Sequence, residues 1–116
     1  MPELIAKITR CVDDGFPCWV ECSFTDAWGQ ERFFRDKVPM FTCQTLDAGS
    51  AYPQPGVIDC RIVRQWRDAT GREIVTVDTR EPWDLEALDG AHRFDVLAEK
   101  VHGSDHGVSL EPSGRG

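Results

Sequence analysis

Two near-identical turns constrain this chain more than any other feature: DAWGQE at Asp26–Glu31 and DATGRE at Asp68–Glu73. The likeness extends upstream, where Cys18 aligns with Cys60, Val20 with Ile62 and Phe24 with Trp66. Each segment reads as a strand entering a tight Asp-x-x-Gly turn and a second strand leaving it. Asp suits the first turn position because its carboxylate caps nearby backbone N–H groups, and Gly suits the last because it tolerates positive φ. Duplication and common hairpin chemistry explain such a repeat equally well.

The flanks of both turns carry strand signals. Leu4 to Cys11 is rich in β-branched residues and stops at Asp13-Asp14-Gly15. From Phe16 to Thr25, Cys18, Val20, Cys22 and Phe24 alternate with Trp19, Glu21, Ser23 and Thr25, the period of a strand with one face on a core. Gln30 to Val38 returns as its partner, and Met40 to Leu46 reads as a further short strand. Gly49, Pro53, Pro55 and Gly56 predict a loop over 47–56.

Ile58 to Arg67 and Arg72 to Thr79 then form the second hairpin. With a four-residue turn Arg67 faces Arg72, Ile62 faces Val77, Cys60 faces Thr79, and Arg61 opposes Asp78 as a register-fixing charge pair. A one-residue slip would set Ile62 against Asp78 and bury a charge. Trp83 to Leu88 is undecided between a helical turn and an extended piece, and a strand is expected at Phe94–Leu97. The reading is therefore all-β: a small antiparallel barrel or two-layer roll of six or seven short strands around similar hairpins at 16–38 and 57–79. One domain is expected over 1–101, with a disordered Gly/Ser-rich tail over 102–116.

The N-terminus lacks a signal-peptide pattern, and no apolar run approaches the roughly 20 residues of a membrane helix. The expected setting is the cytoplasm, with no membrane association. Five cysteines support this. Cys18 and Cys22 lie about 13 Å apart along one strand, beyond the roughly 7 Å that a disulfide or a shared metal tolerates. Cys11, Cys43 and Cys60 stand apart, so all five are expected as small thiols in a reducing compartment.

Catalytic and metal chemistry find little support. His102 and His106 lie four apart, but Gly103 and Gly107 oppose the helix that would aim both at one ion. No nucleophile elbow, paired carboxylates in a cleft, or phosphate-binding Gly loop is present. No cofactor, metal or enzymatic activity is expected.

Two binding readings remain. The net charge is −7, with residues 57–80 at +1 and residues 81–116 at −5. Four tryptophans are many for 116 residues, and Trp is enriched at binding hot spots. The favoured reading is a protein-binding module of adaptor or toxin-neutralising type. Its contacts are Trp19, Trp28, Tyr52 and Trp83, with Glu21, Arg32 and Asp84 as polar rim. An acidic surface of this kind suits a basic partner, and a homodimer through an edge strand would use the same features. The alternative is a single-stranded nucleic-acid binder using Arg64, Trp66, Arg67 and Arg72, which requires arginines unpaired by carboxylates.

Overall fold

The computed structural model describes residues 2–15 and 17–103. Its strands are β1 (Glu3–Asp13), β2 (Trp19–Thr25), β3 (Glu31–Lys37), β4 (Gln54–Asp59), β5 (Arg61–Arg67), β6 (Glu73–Asp78), β7 (Arg93–Leu97) and β8 (Val101–His102). They form two antiparallel sheets, one ordered β3-β2-β1-β4 with β8 also on β1, the other β5-β6-β7. The all-β expectation holds, and of its two forms the structure takes the two-layer roll, not the closed barrel.

Side-chain alternation builds the core. Leu4, Ala6 and Ile8 of β1 and Val20, Cys22 and Phe24 of β2 point inward, while Trp19 and Thr25 lie on the outer face. The sheets meet through aromatic rings, with Phe94 of β7 standing edge-on to Phe24 at 5.3 Å and to Phe34 of β3 at 5.7 Å. Burying a ring such as Phe34 contributes about 2–3 kcal/mol, and edge-to-face packing adds about 1 kcal/mol per pair.

The twin turns are the same object at atomic detail. In the first, Asp26 Oδ1 accepts the Trp28 and Gln30 backbone N–H groups, each at 2.9 Å. In the second, Asp68 Oδ1 accepts those of Thr70 and Arg72, again at 2.9 Å. Gly29 and Gly71 take φ of 82° and 89°, as a glycine at this position allows. The connection has five residues, closed by Asp26 N–H to Gln30 O and Asp68 N–H to Arg72 O.

That fifth residue corrects the expected register. Arg67 faces Glu73, not Arg72, yet Ile62 still faces Val77 and Arg61 still faces Asp78. A β-bulge between Ile62 and Arg64 absorbs the shift. Ile62 stays clear of Asp78, the outcome the four-residue turn was expected to secure. Asp78 instead bonds Arg93 at 3.1 Å and His92 at 3.2 Å, and Arg61 turns to Glu81 at 3.4 Å.

Other expectations fail for identifiable reasons. The run Ile58–Arg67 is two strands in different sheets: β4 pairs with β1, β5 pairs with β6, and buried Cys60 marks the switch. Its N–H donates to Pro2 O, so it does not face Thr79. Met40–Leu46 is not a strand, because a 3-10 turn at Val38–Met40 sends the chain across the end of the sheet. The expected loop over 47–56 already contains the start of β4. There Gly56 lets Ile8 approach so closely that a Cβ would sit 2.9 Å from Ile8 Cγ1.

The cysteine expectation also fails in part: Cys11 and Cys18 form a disulfide, with Cα atoms 6.6 Å apart. The β1–β2 connection folds back between them, a pairing that strand spacing alone could not reveal. Such bonds persist where thiols are oxidised, so the cysteines no longer argue for a reducing compartment. Cys22, Cys43 and Cys60 remain free, and burial pushes the Cys22 and Cys60 thiols up to about 12. No helix among the described residues is long and apolar enough to cross a membrane. The expected tail lies outside the described residues beyond Gly103, and His102 pairs with Glu3 in β8.

Candidate functional site

The bulge in β5 decides what the three-stranded sheet displays. By register, Arg61, Arg64 and Trp66 share one face with Asp78, Thr76 and Ile74 of β6 and with Arg93, Asp95 and Leu97 of β7. Without the bulge, Arg61 would lie on the opposite face from Arg64 and Trp66. Two side chains from the turns join them. Trp28 at the tip of the first turn reaches the second hairpin, its ring 6.3 Å from that of Trp66. Arg72, closing the second turn, lies 5.5 Å over the Trp28 ring and donates to Ala27 O at 3.1 Å.

The result is a pair of neighbouring rings with a cation over each. Arg64 lies 4.8 Å over Trp66, Trp66 contacts Trp28, and Arg72 covers Trp28. Each exposed cation–π contact contributes about 0.5–1 kcal/mol, enough to fix orientation but not to require a partner. Beneath them a directed chain holds Trp66: its indole N–H donates to Thr76 Oγ1 at 3.0 Å, and the Thr76 hydroxyl donates to Asp95 at 2.6 Å. Trp28 nevertheless remains 52% exposed.

The charges on and around this surface differ in their pairing. Arg67 bonds Glu73 at 3.1 Å and Arg72 bonds Asp68 at 2.8 Å, whereas Arg64 has no carboxylate partner among the described residues. Asp68 has its carboxyl held below the usual carboxylate range. Desolvation works to raise it, and the hydrogen bonds from Thr70 and Arg72 outweigh that.

The structure thus merges Trp28, from the expected protein-binding set, with Arg64, Trp66 and Arg72 from the alternative set, while Arg67, opposite Glu73, falls on the other face of β5. It disperses the rest. Trp19 is 39% exposed on the outer face of the larger sheet, opposite Lys37. Trp83 is 54% exposed and donates its indole N–H to Asp59 at 2.8 Å. Tyr52 is half-buried against the core, its hydroxyl donating to Asp47 O at 2.6 Å.

The expected rim is scattered as well. Glu21 holds a separate network with Arg10 at 3.2 Å and Arg35 at 3.5 Å. Burial works to raise its carboxyl, but the Arg10 and Thr9 hydrogen bonds and the nearby cations bring it below its ordinary value. Arg32 is occupied by Asp89 at 3.2 Å and by the Phe94 ring at 5.0 Å. Asp84, at φ 56°, pairs with Arg80.

Thr76 and Asp95 were not foreseen, since only the β6–β7 register puts them under Trp66. A groove of about 540 Å³ opens elsewhere, lined by Pro17, Cys18, Val38, Pro39, Cys43 and Leu46 among others, and none of the expected contact residues lines it. The described residues contain no group of three or more His, Cys, Asp or Glu placed to hold a metal. No family model matches this chain, and neither a curated protein nor a solved structure is significantly similar to it.

Proposed function

We propose that this protein is a non-enzymatic binding module, of adaptor or toxin-neutralising type, that engages another protein through the Trp28–Trp66 surface. The supporting observation is that Trp28 is half exposed yet held in place by Arg72 and Trp66. Trp and Arg are the residue types that dominate hot spots, and a preorganised aromatic loses little conformational entropy on binding.

The test is photo-crosslinking in lysate of the native host, with the crosslinker placed at Thr70 on the tip of the second turn. A crosslinked protein that persists in Trp83→Ala and disappears in Trp28→Ala supports the reading. Crosslinking indifferent to Trp28 overturns it.

Single-stranded nucleic acid is the second reading, favoured by one feature: Arg64 stacks on Trp66 without a carboxylate partner. Pairing of Arg61, Arg67 and Arg72 with acids weighs against it, as does the net charge of −7. A labelled single-stranded oligonucleotide decides the matter. Binding that weakens steeply with salt and is lost in Arg64→Ala would transfer the surface to nucleic acid.

A further inference from the structure

Edge strands present backbone N–H and C=O groups that another strand can pair with. Three edges in this fold receive a loop. Leu88 N–H donates to Phe33 O of β3 at 2.9 Å, Val57 N–H of β4 donates to Phe41 O at 2.9 Å, and Ala27 N–H donates to Asp95 O of β7 at 2.8 Å. On β5 there is no such cover: its backbone pairs with β6 alone among the described residues. This strand, RIVRQWR, carries three arginines and no acid.

Resting on the reading of the Trp28–Trp66 surface as a partner site, we propose that β5 accepts an extended acidic segment of the partner, which joins the smaller sheet as a fourth strand. A carboxylate of that segment meets Arg64, and an apolar side chain lies against Trp66. Backbone pairing at an open edge supplies affinity, and side chains at alternate positions supply selectivity. Arg64 suits a carboxylate because its guanidinium is already oriented over the Trp66 ring and offers a bidentate fork. Arg61 and Arg67 have acids of their own, in exposed pairs that contribute little and can rearrange.

A second copy of this chain is the wrong occupant on charge. It would bring two arginine-bearing strands side by side with no acid on either, and like charges across a sheet are destabilising.

The experiment uses the isotopically labelled full chain and two synthetic peptides of equal length, one alternating Thr with Glu and one alternating Thr with Lys. The Glu peptide is expected to shift the backbone amides of Ile62–Arg67 and slow their hydrogen exchange, leaving β3 unchanged, while the Lys peptide does neither. Arg64→Glu should weaken the Glu peptide about tenfold or more and reverse the preference.

The proposal is overturned if the β5 amides ignore the Glu peptide or respond equally to both. It is also overturned if sedimentation reveals a dimer whose contact protects β5. Movement of the Trp28 and Trp66 indole signals without the β5 amides removes strand addition and leaves the aromatic surface standing. A β5 response combined with host crosslinking indifferent to Trp28 does the reverse.

Discussion

The two hairpins share one turn chemistry and serve different ends. In the β2–β3 hairpin, Asp26 is buried, β3 has its edge covered at Phe33 by Leu88, and Phe24 and Phe34 face the core. In the β5–β6 hairpin, the same turn stands at an exposed tip, β5 has no backbone cover, and the bulge turns Arg64 and Trp66 to the surface. Yet the pair is joined tip to tip, through Trp28 on Trp66 and Arg72 on Ala27 O. A local code fixes how the chain reverses. Tertiary surroundings decide whether that reversal is a foundation or a display.

The largest expected difference concerns the covalent tie. Cys11–Cys18 secures the sheet that holds the first hairpin, and the second sheet has no counterpart among the described residues. Replacing both cysteines by serine should lower unfolding stability by about 2–3 kcal/mol, the range for a short closed loop. Urea titration measures it. Peptide binding at β5 should survive in the folded fraction, and its loss there would mean the two regions are more tightly coupled than the contacts suggest.

Asp26→Ala should come next, at about 2 kcal/mol, because it strands the Trp28 and Gln30 N–H groups in partly buried surroundings. Asp68→Ala removes the same bonds at the solvent-exposed turn, where water replaces them, and should destabilise less. Equal losses in urea would show that burial does not distinguish the turns. Asp68→Ala also frees Arg72 from its acid, so it should disturb the Trp28 indole signal more than Asp26→Ala disturbs that of Trp66.

Much of this contrast was hidden in the chain, for physical reasons. The turns were legible because an Asp carboxylate and a Gly at positive φ act within five residues. The strand over 19–25 was legible because one face meets a core. The break at Cys60 was not, since Val57–Trp66 carries no Gly or Pro at the switch, and only the competing partners β1 and β6 divide it. The start of β4, at Gln54–Gly56, reads as loop because Pro55 and Gly56 oppose regular structure in isolation. An edge strand tolerates the proline, and contact with Ile8 requires the glycine. Of the surface, Trp28 and the arginines were visible as residue types. Their meeting was not, since it depends on the bulge and on which turns lie side by side.

Gly29→Ala and Gly71→Ala offer a comparison in which the hairpins should agree. Both glycines have positive φ and open space where a Cβ would sit. The cost is then backbone strain alone, about 1 kcal/mol at each site. A much larger loss at one turn would show that its neighbours restrict it in a way the open space does not.

The smallest effect should appear in acid. Asp78 ends the second hairpin, and its aligned residue in the first is Asp36, whose carboxylate accepts the Lys37 N–H at 2.7 Å. For Asp78, burial works to raise the carboxyl, but the Arg80 N–H, Arg93 and His92 together hold it below the ordinary 3.8. A carboxyl depressed by folding contributes stability that is fully present above its unfolded value and is lost as pH falls through the folded one. The stability difference between the wild-type chain and Asp78→Asn should therefore narrow as pH drops below 3.8. Urea midpoints at stepped pH measure this. A difference that stays constant down to the acid transition would mean that Asp78 acts through shape and hydrogen bonding, with no contribution from its charge.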